Sequence, residues 1–132
     1  MARLQERLER GDVVILDGAM GTEWQRRGVP MDGIAWSAAA MATHSDTVRA
    51  VHEDYLRAGV EVLITNSFAT SRHVLTPVGL GDRVKELNRR SVELAREACN
   101  RVVPGHPVWI ACSISSFVPS GDNPRRSSGA SL

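Results

Sequence analysis

Three short stretches of the chain gather side chains that could do chemistry: "ILDGAMGTE" at 15–23, "VEVLITNSF" at 60–68 and "VWIACSIS" at 108–115. The first sets a carboxylate, Asp17, against Gly18 and Gly21. An aspartate so placed can grip a cationic ligand group, or it can cap or turn the chain as a strand gives way to a helix. Residue type alone leaves both readings open. The second stretch puts the hydroxyls of Thr65 and Ser67 beside Phe68, which suits a pocket for a small molecule with polar and apolar parts, although a plain strand terminus is spelled the same way. Ser113 and Ser115 in the third stretch are expected to be structural.

Other reactive types offer less. His52 and Glu53 stand in "HEDYL", which lacks the second histidine of a metalloprotease helix, so a surface or packing role is expected. His44, His73 and His106 have no partners at metal-ligand spacing. The two cysteines, Cys99 and Cys112, form no CxxC pair and are expected to be buried, reduced thiols. Neither GxGxxG nor GxxxxGK[ST] occurs, and Asp17 would repel an anion, so "DGAMGT" is a poor phosphate site. The arginine pairs beginning at Arg26, Arg89 and Arg125 are offset by acids or lie in the tail, which argues against nucleic acid.

The elements that must position these groups follow from periodicity and stop signals. "RLQERLERGD" suits a short amphipathic helix closed by Gly11, and "VVILD" at 13–17 is a continuous apolar run of the kind covered on both faces in a parallel sheet. "GTEWQRRG" predicts a brief helix ending at Gly28. Residues 29–43 read as a loop that lays Trp36 beside the strand ends. A helix follows with Thr43 or Ser45 as its cap, Val48, Val51, Tyr55 and Ala58 on one face, and Gly59 as its stop. Strand 60–68, a loop with a turn of helix, and a long helix capped by Asp82 come next. That helix shows Val84, Leu87, Ser91, Leu94 or Ala95, and Ala98 on one face, and strand 108–115 succeeds it. Residues 117–132 are rich in Ser, Pro and Gly and are expected to be mobile.

The order is βαβαβ, which predicts an α/β fold with parallel strands joined by right-handed crossovers, and in such folds ligand groups gather at the carboxyl ends of the strands. Asp17, 65–68 and 113–116 fall at those ends. Three strands make neither a closed barrel nor a typical open sheet, and the last would carry an open edge, so the unit reads as the first part of something larger; it would be under half of a (β/α)8 TIM barrel, a fold that takes about 250 residues. The chain has 132 residues, 16 Lys plus Arg and 15 Asp plus Glu, a balance that favours a small partner over nucleic acid or an anionic membrane. No apolar run approaches the ~20 residues of a membrane span and the N-terminus is too charged for a secretory signal, so a cytoplasmic protein is expected.

"ILDGAMGTEW", then "AWSA", then "VHEDYLRAGVEVLITNSFATS" and "VWIACSIS" resemble the homocysteine S-methyltransferase family in spelling, order and spacing over nearly all of the chain. The resemblance implies a (β/α)8 barrel, with residues 1–132 as a partial homocysteine-binding domain. It implies transfer of a methyl group from a donor such as S-methylmethionine or S-adenosylmethionine to homocysteine, giving methionine. By the same resemblance Asp17 meets the substrate ammonium, the Gly18 N–H faces its carboxylate, and Thr65, Ser67, Phe68 and Trp36 line the pocket. The family's zinc would hold the substrate sulfur as thiolate, which matters because a free thiol has a pKa near ~8.5. The family's zinc cysteines lie in Gly-x-Asn-Cys and Gly-Gly-Cys-Cys segments that this sequence does not contain, and neither Cys99 nor Cys112 replaces them. No cofactor is therefore expected on this chain alone, which is expected to be inactive by itself. A non-enzymatic α/β module that self-associates through open sheet edges, or is completed by a partner, is the alternative.

Overall fold

The computed structural model describes residues 4–30 and 41–114. Trp36, Ser115 and the 117–132 tail lie outside the described residues. Helix α1 (Leu4–Glu9) and helix α2 (Gly21–Arg26) flank the 13–17 segment. Helix α3 (Ser45–Arg57) leads to strand β1 (Val62–Ile64). A short helix α4 (Arg72–Leu75) and two 3-10 turns precede the long helix α5 (Val84–Val102), and strand β2 (Trp109–Ala111) follows it.

β1 and β2 pair in parallel, with Val62 opposite Trp109, Leu63 opposite Ile110 and Ile64 opposite Ala111. The 13–17 segment lies on the other side of β1 but joins it only through a parallel bridge between Leu16 and Val62. The backbone bonds there are Glu61 N–H to the Ile15 carbonyl at 2.8 Å and Asp17 N–H to the Val62 carbonyl at 3.0 Å. The βαβαβ order is therefore realised with an α/β parallel arrangement in which the first strand is reduced to a bridge. Val13 is 76% exposed and Leu16 56%, so the expected two-sided cover of this run is not supplied by the described residues.

The crossover helices pack on one another and on the sheet. α3 buries Val48, Val51, His52 and Leu56, an i, i+3, i+4, i+8 stripe. Tyr55 is half-buried, and Ala58 is exposed at the end of the helix, which corrects the sequence-based face by one position. α5 buries Leu87, Ser91, Leu94, Ala95 and Ala98 as expected, with Val84 packed at its edge. One apolar cluster runs from Trp24, Met41 and Val51 to Leu75, Leu87 and Leu94. A second joins Leu56, Val60 and Leu63 to Ala95 and Ala98. Gly59, at φ 93°, turns the chain from α3 into β1 in the left-handed region that favours glycine.

The expected side-chain caps are not made. α3 starts after His44 with no side-chain cap, and the Thr43 hydroxyl instead lies 2.7 Å from His44 Nδ1. Asp82 sits within the 3-10 turn Gly81–Arg83 that leads into α5, so its fully exposed carboxylate faces Arg72 at 3.8 Å rather than a helix N-terminus. No described helix is long and apolar enough to cross a membrane.

His52 is completely buried with both ring nitrogens unpartnered among the described residues, and burial pushes its pKa down from 6.5 to about 4. Of the surface or packing role expected for it, packing is the one observed. The unfolded chain takes up this proton below pH 6.5 while the folded chain resists it until about 4, so stability is full above 6.5 and falls as the pH drops through that window. Linkage at about 1.4 kcal/mol per pH unit sets the loss at ~3 kcal/mol. Urea titrations at pH 7 and pH 4.5 should show it, and in His52→Leu the part of the slope due to this residue should vanish.

Candidate functional site

The carboxyl ends of β1 and β2 and the start of α2 enclose a cavity of about 250 Å³. Its walls are Gly18, Ala19, Met20 and Gly21 on one side and Ile64, Thr65, Asn66, Phe68 and Ser113 on the other. Strand ends of a parallel sheet converge there because each crossover helix returns the chain to the opposite edge, leaving backbone groups and short polar side chains at the exit. The volume suits a ligand smaller than the ~300–1,000 Å³ typical of drug-sized pockets.

Asp17 stands between two of the lining residues rather than among them. Its Oδ2 accepts the Ile64 N–H at 2.9 Å, a tie between the first segment and β1 that periodicity could not reveal. Its Oδ1 is out of solvent with no hydrogen-bond partner among the described residues, although the residue as a whole is half-buried. Burial raises the carboxyl pKa, partly opposed by the backbone N–H groups of Ile64 and of Asp17 itself. An unpartnered carboxylate oxygen beside a cavity is an acceptor site for a cation, which would repay the desolvation of the charged form. The capping alternative fails, since α2 begins after Met20 with no side-chain cap.

Thr65 and Ser67 form a buried hydroxyl pair, their oxygens 2.9 Å apart. Ser67 donates to the Ser113 carbonyl at 2.7 Å, so it serves as the brace between the two strand ends while Thr65 lines the cavity. Ser113 takes part through its backbone carbonyl and also borders the cavity. The Thr70 hydroxyl lies 2.8 Å from both the Ser67 carbonyl and Asn88 Oδ1, which anchors this corner to α5. Sequence reading missed Asn88 because nothing in its helical position marks it as a brace. Phe68 is 51% exposed and presents an apolar wall. The structure brings Gly18, Thr65 and Phe68 to one cavity with Asp17 adjoining it.

Neither cysteine is buried as expected. Cys99 is half-buried on α5, beside the Leu94, Ala95 and Ala98 stripe, and Cys112 is exposed just past the end of β2. Burial pushes the Cys99 thiol up, away from thiolate. Among the described residues no three His, Cys, Asp or Glu side chains are grouped to hold a metal ion. The described donors therefore do not fit zinc. A larger cavity of about 420 Å³ lies at the other end of the sheet beside Arg7, Glu61 and Trp109. Its charges already satisfy one another, with Arg7 bonded to Glu61 and the Arg7 guanidinium 5.7 Å over the Trp109 ring.

Comparison with known proteins bears on this geometry. The family model for homocysteine S-methyltransferase matches residues 14–124. The homocysteine S-methyltransferase of Escherichia coli (strain K12) is 36% identical over 105 residues, covering 79% of this chain and 34% of that protein. The selenocysteine methyltransferase of Astragalus bisulcatus is 32% identical over 127 residues, covering 83% of this chain and 38% of that protein. The crystal structure of the Escherichia coli homocysteine methyltransferase in metallated form superposes with a TM-score of 0.75 at 33% identity, covering 86% of this chain and 41% of that one. The chain thus spans between about a third and two fifths of the length of these relatives.

Proposed function

The chain belongs to the homocysteine S-methyltransferase family, and from that premise we propose that the 250 Å³ cavity is the amino-acid-binding side of a site that takes homocysteine as methyl acceptor. The observation that carries the reading is the buried, unpartnered Asp17 Oδ1 beside the glycine-walled cavity. An α-ammonium supplies the missing partner, and the short Gly18–Gly21 wall leaves room for a carboxylate against backbone N–H groups. Thr65 and Phe68 then flank the thiol-bearing tail.

In the reaction we propose, the acceptor sulfur forms a bond to the methyl carbon while the donor sulfonium gives up that bond and leaves as a neutral thioether. The thiol proton passes to solvent. The parallel unit is, on this reading, the opening part of a (β/α)8 barrel. Because the described donors do not fit zinc, they support binding of the acceptor and not activation of its thiol. The 132-residue chain should accordingly bind homocysteine in calorimetry, yet form no methionine above background with S-methylmethionine or S-adenosylmethionine. Absence of binding would refute the reading of the cavity, and methyl transfer at an enzymatic rate would refute the division of labour.

A second reading is favoured by the apolar side chains exposed among the described residues along the segment that bridges to β1, Val13, Ile15 and Leu16. Such an edge recruits further strands, from a second copy or from a partner chain. Light scattering across a range of concentrations tests it. A defined oligomer that Leu16→Lys dissolves supports it, whereas a monomer at every concentration removes it.

A further inference from the structure

Tyr55 lies on the crossover helix α3, outside the strand ends, yet it reaches the site. Its hydroxyl donates to the Ala19 carbonyl at 2.9 Å. Its ring also sets the shape of the neighbouring residue. A Cβ on Gly18 would lie 2.8 Å from the Tyr55 hydroxyl oxygen and 3.3 Å from two ring carbons, so Gly18 is glycine here for the sake of Tyr55 as well as of any ligand. The ring itself is held firmly, because it packs against both apolar clusters.

The stretch that Tyr55 meets needs such a hold. At one end Asp17 is tied to β1 by its N–H to Val62 and its carboxylate to Ile64. At the other end α2 is anchored through the fully buried Trp24. Residues 18–20 span the gap between these anchors and form one wall of the cavity. In a trans peptide the carbonyl and the following N–H point in opposite directions, and the described backbone holds no cis bond. Fixing the Ala19 carbonyl toward Tyr55 therefore turns the Met20 N–H away from α3.

We propose that Tyr55 is a positioning residue that fixes the Ala19–Met20 peptide, and with it the Gly18–Gly21 wall of the cavity, from the crossover helix. Its effect on ligand affinity rests on the amino-acid-binding reading above, whereas its effect on the wall does not. Burial, helped by the charges of Glu23 and Asp17, raises the phenol pKa and so keeps the hydroxyl a donor.

The test is Tyr55→Phe in the full chain, followed by amide hydrogen exchange and homocysteine titration. Loss of one net hydrogen bond should shift the amide resonances of Ala19–Gly21 and speed exchange of the Trp24 amide, which is bonded to the Met20 carbonyl, by roughly fivefold, with the buried amides of α5 unchanged, and should weaken homocysteine to a similar degree. A merely structural role would instead raise exchange across the whole chain. Uniform change, or no change at 18–21, overturns the proposal. Gly18→Ala gives a second measurement: its loss of stability should be partly recovered in Gly18→Ala/Tyr55→Phe, and strict additivity would count against the coupling. If the wall loosens in Tyr55→Phe while the unsubstituted chain binds no homocysteine, the positioning stands and the amino-acid reading falls.

Discussion

Replacing Asp17 with asparagine should weaken homocysteine binding by ten- to a hundredfold or so while leaving the fold in place. The two functions of this carboxylate separate cleanly in that variant. One oxygen ties the first segment to β1 by accepting the Ile64 N–H, and an amide oxygen can keep that bond. The other is buried without a partner among the described residues, and it is the charge there that an ammonium would answer. Hydrogen bonds to charged groups contribute about 1.5–3 kcal/mol, which at about 1.4 kcal/mol per decade gives the expected range. Asp17→Ala should differ in kind, because it also strands the Ile64 N–H and so costs a further ~1–3 kcal/mol of fold stability. Calorimetry for affinity and urea unfolding for stability distinguish the two variants. Affinity should also fall as the pH descends through the Asp17 pKa, which burial holds above the ordinary 3.8, since the neutral acid no longer attracts an ammonium.

Trp24→Ala should be the most damaging single change to stability. Trp24 is fully buried in the larger apolar cluster, and it is the only buried residue of the six-residue helix α2. So short a helix has little stability of its own and holds its place by what it buries. Removing a buried aromatic side chain costs about 3–5 kcal/mol, a large share of the ~5–15 kcal/mol that stabilises a typical domain. Because the same helix ends the Gly18–Gly21 wall, the loss should reach the cavity before the whole chain unfolds. Exchange at 18–26 should therefore rise more than exchange in α3 and α5. Equal protection in Trp24→Ala and the unsubstituted chain would show that α2 is held by something else.

The long crossover helices were legible because their stripes are strong. Leu87, Ser91, Leu94, Ala95 and Ala98 recur at helical spacing, and the positive-φ glycines Gly11, Gly28 and Gly59 stand just past the helices they were expected to stop. Helix starts were not legible. Thr43, Ser45 and Asp82 have capping side chains, but Thr43 meets His44, Ser45 is already the first helical residue, and Asp82 lies within a preceding turn. The strand ends pointed to the site, since Gly18, Thr65 and Phe68 face one cavity. What joins those ends was invisible in the sequence: Asp17 to Ile64, Ser67 to Ser113, Tyr55 to Ala19 and Thr70 to Asn88 are contacts between distant residues. Periodicity reports which face of an element is buried, and it carries no record of what that face meets.

The proposed acceptor site is tested most directly by adding homocysteine to the isotope-labelled chain and following its amide resonances. Binding at the strand ends predicts saturable shifts at Gly18, Ala19, Gly21, Ile64 and Thr65, with the midpoint moved to ten- to a hundredfold or so more ligand in Asp17→Asn. Shifts confined to the Arg7, Glu61 and Trp109 cavity at the opposite end of the sheet, or no saturable shifts at all, would contradict it.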